Sequence, residues 1–182
     1  MARNLRYFET NAEYQAADLV FPAVSYVEEN DDVMYDPTAP VPIKWKATYS
    51  DGSVTSAECS SSTEINNGDV VKANIESVEI GDCVTAINTG AFTNSSIKSV
   101  TIGSGITSIT FSGLASFNAT FGGCASLTSF TIKAITPPTI SADILKRSDN
   151  AIIYVPAESL NAYKAKANWS KYASRIQAMP NN

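Results

Sequence analysis

The sequence predicts a mainly β fold: a short solenoid of stacked parallel strands, closed by a β-hairpin before it and a helical segment after it, behind a small helix-hairpin module. Three observations carry this prediction. The first is an internal repeat, IESVEIGDCVTAINTGAFTNSS (75–96), IKSVTIGSGITSITFSGLASFNATFGGCAS (97–126) and LTSFTIKAITPPTISADILKRSDN (127–150). In each copy an aliphatic residue is followed three positions later by an apolar one and two after that by an isoleucine: Ile75/Val78/Ile80, Ile97/Val100/Ile102 and Leu127/Phe130/Ile132. The x in Val78-x-Ile80 puts two side chains on one face of a short strand, and one copy alone cannot bury that face, so the copies stack. The second observation is that both flanks carry amphipathic segments able to cover the ends of the stack. The third is composition: 44% hydrophobic and only 17% charged residues in 182, enough for one compact domain plus an appendage.

Residues 1–41 read as the appendage. Thr10-Asn11-Ala12-Glu13 fits a capping box, predicting a two-turn helix from Asn11 to about Asp18 that must dock, with Tyr14 and Ala17 or Leu19 as its edge. AVSYV and DVMY flank Glu28-Glu29-Asn30-Asp31-Asp32, a hairpin with an acidic tip. Pro37, Pro40 and Pro42 form a linker. A module this small buries little by itself and needs a partner surface, with Tyr14, Phe21, Tyr26 and Tyr35 as its candidate contacts.

Residues 42–182 read as the repeat domain. Ile43-x-Trp45-x-Ala47 and Ser53–Ala57 alternate around Ser50-Asp51-Gly52, a strong hairpin turn, and this hairpin covers the first copy with Trp45 as the plug. A polar loop, Cys59 to Thr63, then Ile65 and Val70-Val71, leads into the first copy. Val84/Ile87 and Ile106/Ile109 start the return side of each unit, and in the third copy Ile135 and the Pro137-Pro138 turn take their place. The second copy carries extra residues around Ser112 to Ala119, predicting a bulging loop. Its Phe111 and Phe117, with Leu114 between, suit a packed satellite cluster better than an exposed contact ridge. Ile152–Val155 supplies a fourth parallel strand, Pro156 stops it, and Ala157–Ala167 is helical with Leu160, Tyr163 and Ala167 on one face. Trp169, Tyr172 and Ile176 complete a lid, so that 151–179 closes the array.

Residues 75–96 also resemble the BspA-like leucine-rich repeat: SVEIGDCVTAINTGAF follows its strand, return and A-F steps, with Ala91-Phe92 at the last and Cys124 in FGGCASL at the small residue before the next strand. ITPPTI followed by IIYVPAESLNAYKAKANWSKYASRI is similar to the segment that ends many such arrays. The resemblance covers about two-thirds of the chain, roughly Ser56 to Met179, and implies secreted or cell-surface proteins of host-associated bacteria. Separately, FETNAEYQAADLVFPAVSYVEENDDVMYDP resembles an N-terminal segment of phage and prophage structural proteins of gut anaerobes, which implies attachment to a particle.

Charge and residue types then restrict function. With 18 acidic and 13 basic residues, net charge −5, nothing offers a basic patch for nucleic acid or an anionic membrane. No stretch approaches a membrane span of roughly 18 apolar residues, and the first residues have no apolar signal core. The chain has no histidine, which removes Ser-His and Cys-His nucleophile pairs and imidazole bases. Glu28, Glu29, Asp31 and Asp32 fit a solvated turn better than an acid/base pair or calcium site, and Gly103-Ser104-Gly105 fits a turn better than a phosphate loop. The odd number of cysteines, Cys59, Cys83 and Cys124, argues against a disulfide framework, with Cys83 and Cys124 expected as buried thiols.

The expectation is therefore a non-enzymatic virion structural protein, a fibre, decoration or tail component made in the host cytoplasm without a signal peptide. It needs no catalytic, metal or cofactor site. Residues 1–41 anchor it to a virion protein or to copies of itself as a homo-oligomer, and the solenoid is presented to a host-surface glycan or protein, with no nucleic-acid or membrane partner. The alternative is a bacterial surface or secreted adhesin.

Overall fold

The computed structural model describes residues 26–29, 32–35, 41–110, 119–141 and 143–180, the first two segments as backbone alone. The expected helix Asn11–Asp18, the candidate contacts Tyr14 and Phe21, and the cluster Phe111, Leu114 and Phe117 lie outside these residues. The described chain is mainly β, with one large, mostly parallel sheet. β1 (Tyr26–Glu29) and β2 (Asp32–Tyr35) form a separate antiparallel hairpin, with Glu29 opposite Asp32 at its tip, as the sequence predicts.

The alternating anchors become the strands of the large sheet. β6 (Ile75–Ile80), β8 (Ser99–Ile102), β10 (Ser129–Ile132) and β12 (Ile152–Val155) run parallel and in register. Val78 stands beside Val100, Phe130 and Ile153, and Ile80 beside Ile102 and Ile132. All seven are at most 3% exposed, so the expected isoleucine column is there. Aromatic residues fill the space behind it: Phe92 stacks on Phe121 at 5.1 Å and Phe121 meets Phe130 edge-on.

Opposite lies a second parallel sheet of β5 (Glu64–Ile65), β7 (Ala86–Ile87), β9 (Ser108–Ile109) and β11 (Thr139–Ile140), each contributing one buried isoleucine. Its ladder begins one copy earlier than the anchors suggest. Thr63 Oγ1 lies 2.8 Å from Thr85 Oγ1, and the Thr85 and Thr107 amides donate to the carbonyls of Thr63 and Thr85. Ile135 does not take the return position of the third copy. It is 64% exposed, and Ile140 is buried in its stead. The backbone decides this: Thr139 and Ser141 donate to Thr107 and Ile109, which draws 139–141 into the ladder and leaves Ile135 in the preceding turn.

β3 (Ile43–Tyr49) pairs antiparallel with β6 at one edge, and β4 (Val54–Glu58) pairs antiparallel with β3 outside it. Their turn is the expected one: Gly52 has φ +80°, a conformation costly for other residues, and Asp51 Oδ1 accepts from the Ser53 amide and hydroxyl. Trp45 stands opposite Ile80 and packs on the core but remains half-buried. Ala47, opposite Val78, is the residue sealed completely.

The cysteine expectation is overturned: Cys59 and Cys83 form a disulfide. The hairpin folds β4 back across β3, which brings the residue just after β4 within 6.2 Å (Cα to Cα) of the turn just after β6, although 24 positions separate them in sequence. Spacing alone cannot show such an encounter. Cys124 is a free, fully buried thiol as expected, and burial pushes its pKa up.

At the other end a 3-10 turn (Ala157–Ser159) leads into α1 (Leu160–Ala165), a second 3-10 segment (Trp169–Arg175) and β13 (Ile176–Ala178), which pairs parallel with β12. The helix is shorter than predicted because Lys166 turns extended and Asn168 adopts φ 67°. The second sheet ends at β11, and beside it side chains of the closing segment meet carbonyls of the third copy. Tyr163 donates to Ala134 O at 2.8 Å, Trp169 Nε1 to Pro138 O at 2.8 Å, Asn168 to Ile140 O and Arg175 to Ser148 O.

Candidate recognition surface

When Val78 and Ile80 point inward, the pleat turns Ser77 and Glu79 outward, and registered strands repeat this across the sheet. Two rows of outward positions result. One runs Thr48, Ser77, Ser99, Ser129 and Ile152, the other Lys46, Glu79, Thr101, Thr131, Tyr154 and Gln177. At about 4.8 Å per strand the second row extends about 24 Å. The middle is uncharged hydroxyl, with Lys46 beside Glu79 at one end and Tyr154 beside Gln177 at the other. Hydroxyls both donate and accept, and a tyrosine adds an amphipathic ring, so the face suits polar ligands held by many modest contacts.

Tight turns fix the rim of this face. Asp82 Oδ1 accepts from the Ser104 amide at 2.6 Å and its hydroxyl at 2.9 Å, and these bonds, aided by the charge of Lys133, hold the carboxyl below its ordinary pKa. A side chain on Gly103 would press within 2.6 Å of the Asp82 carboxylate, and one on Gly105 would overlap the Asp82 carbonyl. Gly103-Ser104-Gly105 is thus a packed turn, as expected. At the opposite rim Lys98 and Glu76 form an ion pair that is largely exposed and contributes little stability.

Of the expected contact residues, the structure places Tyr26 directly opposite Tyr35 in the β1–β2 ladder. Glu28 stands opposite Val33 in the same hairpin, and Asp31 lies outside the described residues. The composition points to a serine-, threonine- and asparagine-rich face suited to weak contacts but leaves its residues unassigned, although Ser99-Val100-Thr101-Ile102 and Ser129-Phe130-Thr131-Ile132 repeat the pattern S-x-T-I. Among the described residues no group of three or more His, Cys, Asp or Glu could hold a metal ion, and no helix is long and apolar enough to cross a membrane. The chain matches no protein-family model and no curated protein.

Proposed function

We propose that the chain is a short leucine-rich-repeat solenoid that acts as a non-enzymatic virion structural protein, a fibre, decoration or tail component. Residues 1–41 anchor it to a virion protein or to copies of itself, and the outward rows of the large sheet are its display face, toward a host-surface glycan or protein. The observation that carries this reading is the sheet face itself: registered hydroxyls flanked by Lys46 and Glu79 on one side and by Tyr154 and Gln177 on the other form a continuous polar surface about 24 Å long. The solenoid reading is supported by the two parallel ladders, which repeat at a 22-residue offset where Thr63, Thr85 and Thr107 meet. It is also supported by a closing segment whose side chains occupy the final carbonyls.

A second reading, a bacterial surface or secreted adhesin, is favoured by the Cys59–Cys83 bridge, since disulfides persist outside the reducing cytoplasm. Released particles meet the same environment, so the bridge does not overturn the first reading. Mass spectrometry of purified particles and of envelope and culture-fluid fractions separates them. The virion reading expects the chain at fixed stoichiometry with capsid or tail proteins. Recovery only in the envelope or the particle-free fluid would establish the adhesin instead.

A further inference from the structure

Just past the ends of β6 and β8, next to the row of Glu79 and Thr101, the chain carries Gly81 and Gly103. Both glycines are required by the backbone: a side chain on Gly81 would run into the Ile43 carbonyl, and one on Gly103 into Asp82. Both glycines line a cleft of about 430 Å³. Its size lies within the range of small-molecule sites, about 300–1,000 Å³.

The walls differ in chemistry. Pro42 and Ile43, the latter 37% exposed, form an apolar side. Glu79, Asp82 and Thr101 form a polar side, and Lys133 stands with them. Ser104 engages Asp82 through Oδ1 and leaves Oδ2 outside that contact. Two carboxylates against one ammonium leave the cleft net negative, in a chain of net charge −5, which disfavours an anion.

We propose that this cleft binds one residue of a neutral saccharide. A pyranose has a C–H face that packs on Pro42 and Ile43 and a hydroxyl edge that donates to Glu79 and Asp82 and exchanges hydrogen bonds with Thr101. Carboxylates are strong acceptors for such hydroxyls and need no charge on the ligand. The inference deepens the display reading above, since it names the ligand class of the displayed face. It does not depend on which particle or cell carries the chain.

The test is amide chemical-shift titration of the full chain with methyl β-galactoside, methyl α-mannoside and N-acetylglucosamine as neutral probes, and N-acetylneuraminic acid as the charged one. At least one neutral sugar should shift Gly81, Asp82, Gly103 and Ser104 with millimolar affinity. Glu79→Gln and Thr101→Val should each weaken binding, the former about tenfold or more. Ser56→Ala, outside the cleft, should leave binding unchanged. No response to the neutral sugars at about 50 mM, well above a millimolar constant, would overturn the proposal. So would a response to the charged sugar alone, or binding that both substitutions leave intact. Sugar binding by a chain absent from particles would refute the virion reading and leave this site standing. A particle-borne chain with no sugar response would do the reverse.

Discussion

Ile102 is the sharpest place to perturb the stack. It is fully buried and flanked in register by Ile80 on one side and Ile132 on the other. Ile102→Ala removes three carbons, about 2.4 kcal/mol at roughly 0.8 kcal/mol per buried carbon. The flanking strands are held by ladder hydrogen bonds, Gly103 to Ile80 and Lys133 to Ile102, and cannot close over the gap. Residual empty space of about 50 Å³ adds about 1 kcal/mol, giving a loss of about 3–4 kcal/mol. Urea denaturation followed by tryptophan fluorescence reads this directly, with an unchanged m-value confirming that the two end states are the same. Thr101→Ala, one residue away but outward, should cost far less. A loss under about 1 kcal/mol for Ile102→Ala would refute the column as the core of the fold.

Three further outcomes follow from individual contacts. In the native protein a thiol reagent should label no cysteine until denaturant exposes Cys124, and reducing the Cys59–Cys83 bridge should lower stability by about 3 kcal/mol for a 24-residue loop; rapid native labelling of Cys124 would contradict its burial. Tyr163→Phe should cost about 1–3 kcal/mol in thermal or urea unfolding, because the buried Ala134 carbonyl loses its donor. Asp82 has a folded-state pKa below its ordinary 3.8, so its contribution is complete above that value and is lost as pH falls through the folded pKa. The stability difference between the wild type and Asp82→Asn should therefore shrink on acidification below pH 3.8, and a difference that grows there would reverse the assigned sign.

Much of the large sheet was legible because its anchors obey a strict rule: Ile75, Val78 and Ile80 recur at matching positions, and a two-residue alternation can face only one way. The Ser50-Asp51-Gly52 turn was legible for an equally local reason, a positive φ at Gly52. What escaped was mostly non-local. The Cys59–Cys83 bridge depends on β4 crossing back over β3, which neither cysteine's neighbourhood encodes. Ile140 displaced Ile135 because ladder hydrogen bonds from Thr139 and Ser141 outweigh hydrophobicity at an exposed turn. The early start of the second sheet had a readable signal, Thr63-x-Ile65-Asn66 repeated at Thr85-x-Ile87-Asn88, but its strands are only two residues long and show no alternation. The outward rows were hidden for a different reason: small hydroxyl residues on strands are common, and only registration across several strands turns them into a surface.

Incorporation into particles decides whether residues 1–41 attach the chain. The full chain and a form lacking residues 1–40 are expressed during particle assembly, and each is quantified in purified particles against a capsid protein. The truncated form retains the hairpin of β3 and β4, both parallel ladders and the closing segment, so it should remain soluble and melt cooperatively. The full chain should incorporate at fixed stoichiometry, and the truncated one should be lost. Incorporation of the truncated form at the full-length level, or absence of the full chain from particles, would contradict that attachment.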